Sequence, residues 1–270
     1  MKWGYFMKVL VTAGDTYEAI DDVRKITHMA TGRLGCLIAD EFAFQGAQVT
    51  LICGEHSQRP ALRMNKIVEI KGVISLQETL KELMYNSNYD CVVHSMAVSD
   101  YTVRGLATED DIVKELMKVL PYSSAITDEK ELYHQVKQAI NNALYNPTSK
   151  ISSDYTSLAV FMDRAPKIIS SIKEIRPYTT LVGFKLLSNV DEKTLLEAAK
   201  LQMHLYGSDL VLANDLADID GDNHKGLLIS KDGIIDRPLT KQDIAKSIVT
   251  HVTTKIRRGY NCSMSQIPFL

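Results

Sequence analysis

The sequence predicts an α/β fold: a doubly wound, mostly parallel sheet with helices on both faces. Two observations carry the prediction. Apolar, β-branched runs of strand length alternate with helical patterns of roughly ten to seventeen residues, the rhythm of βαβ units. At 270 residues and 45% hydrophobic, the chain can bury a large core as one domain, or one domain carrying an insertion.

Taken in order, residues 8–13 (KVLVTA) form the first strand, since Val9, Leu10 and Val11 make the continuous apolar run of a buried parallel strand. A polar loop follows to Thr31. Residues 32–45 form a helix, with Leu34, Leu37, Ile38 and Phe42 at helical spacing, and Gly46 turns the chain into a second strand at 48–53 (QVTLIC). Strands at 66–70 and 90–94 flank a helix at 76–86. After a gap, helices at 167–176 and 192–206 alternate with strands at 180–184 and 209–213. A strand at 226–229 and a helix at 240–256 complete the pattern.

Residues 102–149 break this alternation. TEDDIVKELMKVL and TDEKELYHQVKQAINNAL are two acidic-led amphipathic helices with Thr108 and Thr127 as caps, and they read as an inserted lid, a dimerisation arm, or both. The rest of the chain, 1–270, reads as a single domain with a loosely packed tail over 256–270.

Net charge is −2, which gives no footprint for nucleic acid or an anionic membrane. Cys36, Cys53, Cys91 and Cys262 are scattered without C-x-x-C spacing, the usage of reduced thiols, most of them core residues. The start MKWGYFMKVL is too short for a signal peptide and the longest apolar runs are strand-sized, so a cytoplasmic protein is expected.

In parallel sheets of this kind ligands bind beyond the carboxyl ends of the strands. Gly14, residues 95–100, residues 184–187, Asn214 and Asp215 collect at those ends. The first strand feeds, through a loop of about twenty residues, the start of a helix at Thr31 and Gly32. Helix starts expose unpaired N–H groups and the positive end of the dipole, a site for phosphate or carboxylate. Neither G-x-G-x-x-G nor G-x-x-x-x-G-K-S/T is present, so the spacing is of a longer type. Within the loop Arg24 suits a bidentate grip on phosphate or carboxylate, or an ion pair with Asp21 or Asp22.

Four further motifs bear chemistry. In HSMAVSDY small residues admit a ligand to the backbone, and Asp100 accepts from that ligand or caps its loop. In KISSD, Lys150 among hydroxyls suits a charge brought onto a polyphosphate. Phe184 either stacks on a base or belongs to the core. Asn214 and Asp215 either bond a base edge or ribose, or cap a loop.

TAGDTYEAIDDVRKIT with TGRLG, HSMAVSDY, KISSD, APKIISSIK, LVGFKLL and DLVLANDL, in that order over about residues 7–250, resemble phosphopantothenate–cysteine ligase in its stand-alone bacterial form. The resemblance implies a Rossmann-like homodimer acting in coenzyme A biosynthesis. It implies that 4′-phosphopantothenate attacks CTP to give an acyl-nucleotide and pyrophosphate, with Mg²⁺ assisting. The amine of L-cysteine then displaces CMP.

Carried over, Gly14, Ala30, Thr31, Gly32, Gly35, Phe184, Lys185 and Asn214 bind the nucleotide. Met96, Ala97 and Asp100 bind phosphopantothenate or the cytidine end. Arg24 grips the substrate phosphate across a dimer interface, and Lys150 sits on a flap over the triphosphate. His28 stands where the family usually has asparagine and is assigned to the acyl-nucleotide, as a catalytic and substrate-binding residue with Lys150. The family's lysine pair on the helix before DLVLAND is reduced to Lys200, with Gln202 and Tyr206 nearby. The metal ligands stay unassigned.

Two other readings remain. A nicotinamide-dependent reductase would need a glycine fingerprint, an acidic end to the second strand and a Tyr-x-x-x-Lys pair. The second strand instead ends Cys53-Gly54-Glu55, and Tyr101 has no lysine four residues on. A catalytically impaired nucleotide-binding relative is the other.

Overall fold

The computed structural model describes residues 6–119, 128–147 and 149–264. In chain order the first elements are β1 (Lys8–Ala13), β2 (Tyr17–Ala19), β3 (Lys25–Thr27), α1 (Arg33–Phe44), β4 (Gln48–Gly54), β5 (Lys66–Ile70), α2 (Val73–Asn86) and β6 (Cys91–His94). There follow β7 (Tyr101–Ala107), α3 (Glu109–Val119), α4 (Glu129–Ala143), β8 (Ala159–Arg164), α5 (Ile168–Ile175), β9 (Thr180–Leu187), α6 (Glu192–Tyr206) and β10 (Leu210–Asp215). The chain closes with β11 (Ile219–Asp220), β12 (Asn223–His224), β13 (Leu227–Ser230), β14 (Gly233–Asp236) and α7 (Lys241–Met264).

The described residues form two units. The first takes in the chain up to Thr16, His28–Val98 and everything from Lys167 onward; the second is Tyr17–Thr27 with Ser99–Pro166.

The first unit is built on an eight-stranded sheet in the order β14-β13-β10-β9-β6-β1-β4-β5. The six strands from β10 to β5 pair in parallel and the two edge strands beyond β10 are antiparallel. This is the doubly wound order expected from the βα alternation. Alternation along each strand divides the core in two. Val9, Val11 and Ala13 of β1, with Leu210 and Leu212 of β10, pack against α1 and α7. Val211 and Ala213 face the other way, onto Leu195 and Ala199 of α6. Cys36, Cys53 and Cys91 are buried free thiols, and burial pushes the Cys36 thiol up to about 11. Cys262 lies where side chains are not described.

The strands and helices that the sequence placed match their expected bounds to within a few residues, while β7, β8, β11, β12 and β14 were not foreseen, and two corrections apply. The final helix continues through Met264, eight residues past its expected end: Lys255, Arg257 and Arg258 favour helix and no proline follows until Pro268. The 12–31 loop is not structureless: Tyr17, Glu18 and Ala19 pair with Thr27, Ile26 and Lys25 in a small antiparallel hairpin.

In the second unit β7 and β8 form an antiparallel pair, with a register shift between Val103 and Gly105. Strands this far apart in sequence leave no local hairpin signal. Helices α3 and α4 lie between them in the chain, within the expected insertion. Thr108 caps α3 as the sequence suggested, accepting from Asp111 N at 3.1 Å and donating to its carboxylate at 2.7 Å. Asp128 caps α4 through Lys130 N at 2.9 Å; Thr127 lies outside the described residues.

Candidate functional site

The chain order of the sheet reverses direction between β1 and β6: from β1 it winds to β4 and β5, from β6 to β9 and β10. A crevice opens at such a switch point, outside the carboxyl ends of the strands. The backbone there is laced together. Ala97 N donates to Gly14 O at 2.9 Å and Thr16 N to Ala97 O at 3.1 Å. Beneath them Thr12 is a buried polar hub. Its carbonyl accepts from Ser95 Oγ at 2.5 Å, its hydroxyl accepts from Met96 N at 3.2 Å, and His94 Nδ1 lies 3.1 Å from that hydroxyl. Burial lowers the His94 pKa to about 4, so this imidazole is neutral at physiological pH.

Helix α1 begins beside this crevice. Its cap residue is Gly32 at φ 79, with no side-chain cap and no acidic residue in the first turn. Neither its cap nor its first turn supplies an acidic side chain to its positive end. Gly35 lets the helix sit close on β1: a Cβ there would come 2.6 Å from Ala13 Cβ and 2.7 Å from Ser95 Oγ. Gly14, at φ 87, and Gly32 pack against the loop after β4. A Cβ on Gly14 would lie 1.6 Å from Ser57 Oγ, and one on Gly32 3.0 Å from Gly14 N. The glycine at the end of β4 belongs to the same cluster, for a Cβ on Gly54 would lie 2.5 Å from Asp15 O and 2.9 Å from Ser57 Oγ.

Phe184 and Asn214 stand on the sheet face that carries α1. Phe184 pairs with Leu212 across the parallel β9–β10 ladder, and Leu212 belongs to the core under α1 and α7. Two residues on, Asn214 shares that face. Phe184 is half-buried and packs on this core, so its ring does core work there. Asn214 is 5% exposed and its Nδ2 has no hydrogen-bond partner among the described residues. A buried amide donor left open is the signature of a ligand acceptor or a bound water. Asp215 instead caps its own loop, accepting from Val190 N at 2.7 Å, Ala217 N at 2.8 Å and Asn189 N at 3.1 Å; those N–H groups hold its carboxyl below the usual range. Lys185 is half-buried; Ala30 is half-buried and Thr31 exposed ahead of α1.

Of the sequence-derived residues, Gly14, His28, Ala30, Thr31, Gly32, Gly35, Met96, Ala97, Phe184, Lys185 and Asn214 fall in the first unit. His28 is exposed and Met96 buried. Lys200 is exposed, whereas Gln202 is buried, its Nε2 2.2 Å from where a Gly183 Cβ would stand. Arg24, Asp100 and Lys150 fall in the second unit. There the ion-pair alternative for Arg24 is realised, with its Nη1 2.8 Å from Asp21 Oδ2. The Asp21 carboxylate also accepts from Val23 N at 2.8 Å, Arg24 N at 2.6 Å and Ile151 N at 3.1 Å. Burial opposes its ionisation, but the Ile151, Val23 and Arg24 N–H groups and the guanidinium outweigh it and hold the pKa at about 2. Asp21 thus ties the hairpin that carries Arg24 to the residue that follows Lys150. Lys150 itself is exposed, and Ser152 and Asp154 close a local turn.

Sequence reading passed over two residues of consequence, Asp21 as a tie and Ser57 in the glycine cluster. Asp21 was legible as a candidate partner for Arg24, but not as the acceptor for Ile151 N. Ser57 had a weak signal, a hydroxyl three residues after a glycine at a strand's carboxyl end. Among the described residues no group of three or more His, Cys, Asp or Glu could hold a metal ion. No described helix is long and apolar enough to cross a membrane.

The family model for the DNA/pantothenate metabolism flavoprotein C-terminal domain matches residues 6–141 and 142–256. Among curated proteins, the coenzyme A biosynthesis bifunctional protein CoaBC of Thermococcus kodakarensis is 32% identical over 242 residues, 89% of this chain and 49% of that protein. The protein of the same description from Methanocaldococcus jannaschii is 24% identical over 253 residues, 93% of this chain and 51% of its own length. The chain thus spans about half the length of these relatives. Among solved structures, the DNA/pantothenate metabolism flavoprotein from Streptococcus pneumoniae superposes with a TM-score of 0.75 at 32% identity, covering 92% of this chain and 99% of that one. A mutant of Cab2, H337A, in complex with phosphopantothenate-cysteine has a TM-score of 0.62 at 17% identity over 96% and 89% of the two chains, a likeness of fold.

Proposed function

We propose a function from one premise: the chain belongs to the DNA/pantothenate metabolism flavoprotein C-terminal domain family. It is a phosphopantothenate–cysteine ligase of coenzyme A biosynthesis, joining 4′-phosphopantothenate to L-cysteine through an acyl-nucleotide, with CTP as the nucleotide. The observation that supports this best is the uncapped positive end of α1 at the switch point, with Asn214's open amide on the same sheet face. An anion and a polar base or ribose edge would satisfy both.

In this reading a carboxylate attacks the α-phosphate and pyrophosphate leaves; an amine then attacks the acyl carbon and CMP leaves. Such transfers need positioning and charge neutralisation more than a protein nucleophile. Gly14, Ala30, Thr31, Gly32, Gly35, Phe184, Lys185 and Asn214 would hold the nucleotide. Met96, Ala97 and Asp100 would hold the acid substrate, Arg24 its phosphate, and Lys150 the triphosphate. Exposed His28 would donate to the acyl-nucleotide. Mg²⁺ would be carried largely by phosphate oxygens and water, its usual partners at a polyphosphate. A homodimer, a closing or dimerising role for residues 102–149 and a cytoplasmic setting belong to the same proposal.

The test is to incubate the protein with CTP or ATP, Mg²⁺, 4′-phosphopantothenate and cysteine, then measure pyrophosphate and nucleoside monophosphate. Stoichiometric pyrophosphate and CMP are expected. No pyrophosphate with either nucleotide sinks the ligase reading. ATP preferred over CTP overturns the nucleotide assignment alone.

A further inference from the structure

We propose that Ser57 is a further binding residue of this site, its hydroxyl donating to a phosphate oxygen of the nucleotide seated at the start of α1. The inference rests on the nucleotide-binding reading above and deepens it. Ser57 is 8% exposed, and its Oγ has no hydrogen-bond partner among the described residues. Buried hydroxyls are almost always paired, so an open one marks a place for a missing partner.

Its position says which partner. Three glycines surround the side chain: the missing Cβ positions of Gly14 and Gly54 lie 1.6 and 2.9 Å from Ser57 Oγ, and that of Gly32 lies 3.1 Å from Ser57 Cβ. These glycines end β1, end β4 and cap α1. Ser57 thus packs beside Gly32, the cap of α1, and an anion seated on the first N–H groups of α1 would accept from them and from the Ser57 hydroxyl together. Thr31, the nearest alternative cap, accepts only a long 3.3 Å bond from Arg33 N.

The loop is anchored so that the hydroxyl stays put. Gln58 N donates to Thr31 O at 2.9 Å, Ser57 N to Gly54 O at 3.0 Å, and Arg59 Nη1 to Ser57 O at 3.1 Å. The Cys36 thiol donates to Gln58 O at 3.1 Å. Asp15 Oδ1 lies 3.3 Å from the Gly54 Cβ position, and because a nearby carboxylate repels an anion in a way that Mg²⁺ screens, binding is measured at a constant Mg²⁺ concentration.

The experiment is calorimetric titration of CTP and of inorganic pyrophosphate into wild type, Ser57→Ala and Ser57→Cys, with the melting temperature of each ligand-free protein. A lost hydrogen bond to a charged acceptor predicts a Kd for both ligands raised about tenfold or more in Ser57→Ala. Ser57→Cys, of similar size but a weak donor, is expected to lose nearly as much. The ligand-free Ser57→Ala protein should melt no lower than wild type, because it loses an unpaired buried hydroxyl. Kd values within twofold of wild type for both variants overturn the proposal. A wild type that binds polyphosphate in a Ser57-dependent way yet makes no pyrophosphate from CTP or ATP removes the ligase reading and leaves Ser57 standing. A wild type that binds neither CTP nor pyrophosphate removes both.

Discussion

Gly14→Ala should be among the most damaging single-methyl additions in the first unit, and Ser57 is the reason. Two penalties combine. At φ 87 an alanine sits in the left-handed region, at a cost of ~1–2 kcal/mol. Its Cβ would also stand 1.6 Å from Ser57 Oγ and 2.7 Å from Ser57 Cβ, and a short serine on an anchored loop cannot swing clear. Forced repacking of this kind costs a further ~1–3 kcal/mol. The sum is ~2–5 kcal/mol, a fall in melting temperature of about 5–15 °C for a unit of this size. The cycle Gly14→Ala, Ser57→Gly and the double variant separates the two parts, because removing the Ser57 side chain removes the clash and leaves the backbone strain. Urea and thermal denaturation of all four proteins should give a favourable coupling of ~1–3 kcal/mol. Additivity within ~0.5 kcal/mol, or a Gly14→Ala protein as stable as wild type, would refute the packing argument.

Other consequences follow from the same geometry. Asp21→Ala should release the backbone after Lys150, seen as several-fold faster tryptic cleavage at Lys150 and faster exchange of the Ile151 amide; in wild type that protection should persist down to about pH 3. Its carboxyl, depressed to about 2, holds the tie above its unfolded pKa and loses it only as pH falls toward 2. His94 is a buried neutral imidazole with its pKa near 4 rather than the ordinary 6.5, so the unfolded chain binds its proton first. Stability should then fall as pH drops from about 6.5 to 4, by up to ~1.4 kcal/mol per pH unit, and His94→Gln should flatten that slope in denaturation curves. Arg24→Lys keeps the charge but loses the planar fork, and steady-state kinetics should show KM for phosphopantothenate up about tenfold with KM for CTP within twofold. His28→Ala should slow turnover and change the amount of acyl-nucleotide trapped without cysteine; unchanged values on both counts would remove the role proposed for it.

The sheet was legible because burial imposes period and composition. Val9–Val11 and Leu210–Leu212 are apolar on successive positions because both faces of a parallel strand are covered, and α6 shows the helical period from end to end. Gly14 and Gly32 stood out as the ends of elements, which places the nucleotide side of the sheet from sequence alone. The hairpin β2–β3 and the long-range pair β7–β8 were not legible. The first is three residues per strand, and the second pairs residues whose separation in sequence carries no local turn signal.

The sequence alone therefore determined the α/β class, the order of the main elements, and which residues lie at the carboxyl ends of strands, because those follow from local periodicity and from the rules of chain connection. Only the tertiary structure decided what fills the glycine cluster, which carboxylate Arg24 is paired with, and which buried donors are left open. Ser57 reaches Gly14 and Gly32, and Asp21 reaches Ile151, across long stretches of chain. Hydrogen-bond satisfaction is a property of the packed neighbourhood, and no pattern of neighbours in sequence encodes it.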